Sequence, residues 1–192
     1  MKWKNIKIRN KLAISFGLLV FLMSVIIYNS LSSINNIVSN AKNVESADHI
    51  KLLFTERYAD HLKWANKVSF ALQNTNETSV NVETNPHNCA FGKWFYGTGR
   101  QEAESFVPEI KPVLDSMEEI HNKLHSTAEE INTFLSRGDR VGALNVFNTK
   151  TTVYLHEIGL KFHSINGIIS QNNEKTDQSY QADVKAEKTG LV

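Results

Sequence analysis

The stretch IKPVLDSMEEIHNKLHSTAEEINTFLSRGD, residues 110–139, decides the fold. In it Ile110, Leu114, Met117, His121, Leu124, Ala128, Ile131 and Leu135 recur at steps of three or four, which places them on one face of an α-helix. The stretch ends in Ser136-Arg137-Gly138-Asp139, a glycine stop followed by an aspartate able to cap the next helix. The same period appears on both sides. Upstream it runs through Ile50, Phe54, Tyr58, His61, Ala65, Val68 and Leu72, widened by Leu53 and Trp64. Downstream it runs through Val141, Leu144, Phe147, Thr151, Tyr154, Ile158, Phe162, Ile165 and Ile169. The short connection at 136–139 predicts an antiparallel helix pair.

Between the first two stripes, Gln73 to Asn88 is rich in Asn and Thr, contains Pro86, and reads as a loop. It leads into CAFGKWFYGTG, residues 89–99, a compact aromatic knot read as a short helix and a turn. The tail from Asn172 is polar. Only three prolines and nine glycines interrupt 192 residues, which suits long helices better than a turn-rich sheet protein. The expectation is an all-α protein, an antiparallel four-helix-type bundle with one short helix.

The chain's other end is of a different character. No charged residue occurs from Leu12 to Ala41, and Leu12 to Tyr28 is almost wholly apolar. Roughly 20 helical residues cross a bilayer core. Lys2, Lys4, Lys7, Arg9 and Lys11 precede the segment and Lys42 is the first positive charge after it, so the start is expected in the cytoplasm and the rest outside. A cleaved signal peptide is the rival reading. It would have a shorter apolar region and small residues before a cleavage site, and Tyr28 to Ser33 lacks an Ala-x-Ala pattern. The uncleaved anchor is favoured. The expected organisation is a basic cytoplasmic stub at 1–11, a transmembrane helix at 12–31 and an extracytoplasmic bundle at 35–188.

Formal net charge is +1, with 21 Lys and Arg against 20 Asp and Glu, so there is no overall field for nucleic acid. Cys89 is the single cysteine and cannot form an intrachain disulfide. Histidines stand where apolar residues are expected. His61 lies on the first stripe, and His121 and His125 lie one turn apart on the second. An i, i+4 histidine pair is a two-point metal clamp, and Cys89 could add a thiolate. Three imidazoles and one thiolate suit tetrahedral zinc. His87, two residues from Cys89, is a substitute ligand, whereas His156 and His163 are read as surface or seam residues. Trp64 and Trp94 are read as core aromatics that wall the site. Two other readings stay open. One is a zinc hydrolase with three protein ligands, a metal-bound water and Glu118 as base. The other is a metal-free ligand-binding bundle whose histidines are only core.

Asp60-His61-Leu62-Lys63-Trp64, then Cys89-Ala90-Phe91-Gly92-Lys93-Trp94-Phe95-Tyr96-Gly97, then His121-Asn122-Lys123-Leu124-His125 resemble the pattern of the chemoreceptor zinc-binding (CZB) domain. That pattern is a histidine followed closely by tryptophan, a cysteine in C-x-x-G-x-W, and H-x-x-x-H. The resemblance covers roughly residues 55–130. It implies zinc bound by His61, Cys89, His121 and His125, in a closed site of a sensor rather than an enzyme. Family members serve as sensory modules of methyl-accepting chemotaxis receptors and diguanylate cyclases, with zinc or oxidants acting at the zinc thiolate as proposed stimuli. Many copies are cytoplasmic. This one follows a membrane helix and so resembles the subset in receptor ectodomains at the inner membrane. On that resemblance the chain pairs as a homodimer, residues 189–192 start a second membrane helix, and contact with a chemotaxis kinase complex runs through a further C-terminal part.

Overall fold

A computed structural model describes residues 7–189. Residues 1–6 of the expected basic stub and 190–192 of the expected second membrane helix lie outside the described residues. The described residues are overwhelmingly helical and contain no strand. The chain forms two compact units, Met1–Glu45 and Ser46–Val192.

The first unit is the N-terminal part of helix α1 (Ile8–Gln73). Among the described residues, α1 is the one helix long and apolar enough to cross a bilayer. Every side chain from residue 12 to residue 31 is exposed. An exposed run of Leu, Ile, Val and Phe of that length is unfavourable in water and ordinary in lipid.

The second unit is a multi-helix bundle. Its elements after α1 are α2 (Ala90–Phe95), α3 (Thr98–Phe106), a 3₁₀ turn (Pro108–Ile110), α4 (Lys111–Asp115), α5 (Met117–Ser136), α6 (Arg140–Val146), a π-helical turn (Phe147–Thr151) and α7 (Thr152–Thr189). In this unit α1 buries Ala47, Phe54, His61, Trp64, Ala65, Val68 and Leu72, the face read from the sequence. The stripe that opened the reading is buried at all eight positions, from Ile110 to Leu135. Phe162 of α7 meets α1 at Phe54 (5.9 Å between ring centroids) and Tyr58 (6.1 Å). Gly159 makes that approach feasible, because a Cβ there would come within 2.7 Å of the Tyr58 hydroxyl oxygen.

The turn at 136–139 forms as read. Gly138 has φ of 74°, and the Asp139 carboxylate accepts the N–H of Gly142 at 2.8 Å to cap α6. Three features differ from the sequence reading. The second stripe is not one helix: Pro108 opens a 3₁₀ turn and Pro112 sits in the first turn of α4, where its missing N–H costs nothing. Residues 98–106 form α3, whose Arg100 is ion-paired with Glu104 and Asp115 and lies over the Phe95 ring. The third stripe changes phase. Val141 is 80% exposed and Leu144 37%, while Ala143 and Val146 are buried instead. The π turn causes this, since it separates buried Val146 from buried Thr151 by five residues where an α-helix would take four. The Thr151 hydroxyl donates to the Thr127 hydroxyl of α5 at 2.9 Å, a buried polar pair at the turn. Beyond Ile169, α7 continues through the polar tail, which holds no proline or glycine before Gly190.

The C-terminal end of α1 has an unusual cap. Its last carbonyls have no partner within the helix. Arg140 supplies one, donating to the carbonyls of Ala71 (3.2 Å), Leu72 (2.8 Å), Thr75 (3.4 Å) and Glu77 (2.6 Å). Its charge also suits the negative end of the helix dipole. Replacing it by methionine keeps the aliphatic stem and removes every donor. We expect Arg140→Met to lower unfolding free energy by about 1–3 kcal/mol, measured by urea denaturation of the full chain in detergent. An unchanged midpoint would contradict the cap.

Candidate metal centre

The site is assembled from three helices and a loop. His61 sits on the buried face of α1, and its ring is oriented from within the helix: Nδ1 lies 2.6 Å from the Arg57 carbonyl one turn earlier. A carbonyl only accepts, so Nδ1 carries the proton and Nε2 keeps a lone pair. His121 and His125, one turn apart on α5, have ring centroids 4.8 Å apart. His61 is 5.2 Å from His121 and 5.8 Å from His125 by the same measure. His125 is oriented from outside its helix, with Nδ1 2.8 Å from the Glu83 carbonyl in the 74–88 loop.

Cys89 stands at the N-cap of α2, where its sulfur accepts the Gly92 N–H at 3.1 Å. The sulfur lies 3.3 Å from His121 Nε2. Gly92 is required by close approach, because a Cβ on it would run into the Pro86 carbonyl. The loop is pinned against α5 by Asn132, whose side chain accepts from Val80 N (2.5 Å) and donates to Val80 O (3.1 Å). Backbone carbonyls as orienting groups were not legible in the sequence, since any residue can supply one. Asn132, a polar residue on the loop-facing side of an amphipathic helix, carried the only signal there was.

Burial governs the electrostatics. His61, His121 and His125 are 3%, 0% and 1% exposed. Desolvation lowers the pKa of His61 to about 4 and of His121 to about 2, in each case as the largest cause, and lowers that of His125. The rings are therefore neutral at pH 7, the form that ligates metal. Desolvation also raises the Cys89 pKa, against hydrogen bonds from the α2 backbone that lower it. A nearby cation would reverse that balance and favour thiolate.

One ligand atom from each of His61, Cys89, His121 and His125 lies within 4.8 Å of the others. Four donors around a tetrahedral zinc stand about 3.5 Å apart, close to the 3.3 Å seen between sulfur and His121 Nε2. His61 Nε2, His125 Nε2 and His121 Nδ1 are buried with no hydrogen-bond partner. An unpartnered buried polar atom costs roughly 1–3 kcal/mol, and a cation at the centre relieves the Nε2 atoms directly. The N₃S donor set, without carboxylate, fits zinc. Phe91 packs edge-on against His121 (4.9 Å) and Trp64 against His125 (5.3 Å), closing two sides. Trp94 stands one layer back, on Phe54 and Phe91.

Residues 61–132 match the family model of the chemoreceptor zinc-binding domain. No curated protein and no solved structure matches the chain. The CZB match begins at His61 and ends at Asn132, and so takes in the four clustered residues and the loop pin. Together with the His/Cys group it supports a metal centre, zinc by donor set, in a chemoreceptor-type sensory domain.

The other candidates are elsewhere. His87 is outside the cluster and stacks on Tyr96 at 3.8 Å. Glu118, the base required by a hydrolase, is exposed and not among the clustered groups. His49, His156 and His163 are exposed.

The depressed histidine pKa values have a consequence for stability without metal. The unfolded chain takes up protons near pH 6.5 that the folded rings refuse. Stability from this source is complete above about pH 6.5 and is lost as pH falls toward the folded value, about 4 for His61. His61 alone contributes a slope of up to about 1.4 kcal/mol per pH unit in that window. Denaturation of chelator-treated protein at pH 7.5, 6 and 5 is expected to follow this trend. Equal stability at all three would contradict it.

Proposed function

We propose that His61, Cys89, His121 and His125 hold one zinc ion, and that this centre belongs to the sensory part of a membrane chemoreceptor-type signal transducer. The observation that carries the reading is the convergence of four soft or borderline donors in the buried core, inside the span that matches the CZB model. Bound zinc would supply a closed tetrahedral centre that keeps the cysteine as thiolate. The chain's own groups do the rest. His61 and His125 are held by carbonyls with Nε2 toward the centre, Cys89 is presented by the first turn of α2, and Phe91 and Trp64 exclude water. The stimulus on this reading is zinc itself or an oxidant reaching Cys89. A cavity of about 60 Å³ is bounded by His61, Cys89 and His125 together with Trp64 and Phe91, and so coincides with the proposed position of the ion.

The proposed setting is the inner membrane, with 12–31 as the membrane helix and the bundle of 35–188 outside the cytoplasm. The exposed apolar segment and the basic residues before it support this. The proposed assembly is a homodimer. Leu52 (57% exposed) and Phe70 (70%) are five helical turns apart on α1, on one side, and support packing of a second copy there. Helix α1 carries both the apolar segment and His61, so a change at the centre would be passed along that helix.

Metal analysis of the purified chain after dialysis is expected to find about one zinc per chain, because the ligand set occurs once. Cys89→Ser should weaken zinc binding by more than the roughly 10–100-fold typical of losing an outer-shell partner, as read by competition with a chromophoric chelator. Folded wild-type protein without zinc would sink the proposal. Orientation is tested separately: a periplasm-dependent reporter fused after Gln171 should be active, and activity only of a cytoplasm-dependent reporter would overturn the topology.

A further inference from the structure

His61 and His125 are oriented by the same kind of bond, with different security. The Arg57 carbonyl that receives His61 Nδ1 belongs to the same helix, so helix geometry holds it. The Glu83 carbonyl that receives His125 Nδ1 lies in a segment without regular structure. The turns of that segment, Glu77 N to Asn74 O and Asn88 N to Asn85 O, do not involve it. A second donor does. Trp64 Nε1 of α1 donates to the same oxygen at 2.8 Å, matching the 2.8 Å of His125. A peptide carbonyl offers two lone pairs, and here two helices use both. The indole also packs on the His125 ring, with centroids 5.3 Å apart, and is 8% exposed.

We propose that Trp64 is a positioning residue for the metal centre, holding the Glu83 carbonyl so that it fixes His125 with Nδ1 protonated and Nε2 turned to the centre. The tryptophan touches no metal position itself. It acts through the loop, and its N–H, not only its bulk, is what the site needs. The same bond makes the loop a strap between α1 and α5, secured at Val80 by Asn132 and at Glu83 by Trp64. The inference rests on the zinc reading for its consequence but not for its geometry.

The test separates donor from bulk. Residue 64 is replaced by the tryptophan analogue in which sulfur takes the place of the indole N–H, and in parallel by Trp64→Phe. In metal-free protein at pH 8, long-range proton–nitrogen correlation reads the histidine tautomers. Wild type should show His61 and His125 both protonated at Nδ1. In the sulfur analogue and in Trp64→Phe, His125 should become a mixture of tautomers while His61 is unchanged, and zinc affinity should fall about 10–100-fold. A single Nδ1-protonated His125 in the sulfur analogue overturns the proposal, whatever the zinc affinity. If wild type binds no zinc, the functional reading fails, and the His125 tautomer still decides the role of Trp64.

Discussion

Three imidazoles and a thiol have been taken out of water into an otherwise apolar core, and the architecture around them answers that constraint. Each ring nitrogen left without a partner is costly, so the chain brings acceptors to two of the rings: the carbonyl of Arg57 and the carbonyl of Glu83. The first comes free with the helix. The second demands a loop laid across the bundle, and that demand explains Asn132 and Trp64 as well as the steric need for glycine at 92, over which the Pro86 end of the loop passes. Burial also keeps the rings neutral, so the same desolvation that makes the site expensive makes it ready for a cation.

The helical faces were legible in the sequence because burial follows a simple period. Ile110 through Leu135 are buried as read, and the histidines that break the apolar pattern at 61, 121 and 125 are the ones the fold brings together with Cys89. What was not legible depends on backbone or on phase. Arg57 and Glu83 orient rings through atoms every residue has. Helix α3 lacks a strong apolar stripe, burying only Ala103, and is secured by Arg100 instead. Val141 and Leu144 were misplaced because periodicity extrapolates a constant pitch, and the pitch changes between them and Thr151.

The aromatic residues of the knot divide into two layers. Phe91 touches His61 and His121 directly, at 6.0 and 4.9 Å between centroids. Trp94 lies behind it, edge-on to Phe54 at 5.0 Å, with Gly99 giving room for the indole. Phe162 completes the inner layer from α7, 5.2 Å from Phe91 and 6.2 Å from His61. Every long helix of the bundle thus has a side chain in van der Waals communication with the centre, and α2 reaches it through both its cap and its first residues.

The π turn at Phe147–Thr151 sets a rule for anyone who would splice this bundle to another protein. One surplus residue in a helix rotates everything beyond it by about 100° relative to an uninterrupted α-helix. A chimera that joins a foreign coil to α7 by counting heptads from Arg140 would therefore present the wrong face at the junction. Counting from Thr152 preserves the angular phase that Ile158, Phe162, Ile165 and Ile169 impose. Deleting one residue within the turn would return the Val146–Thr151 spacing to the four residues of an α-helix, closing the bulge while the buried faces on either side stay in phase.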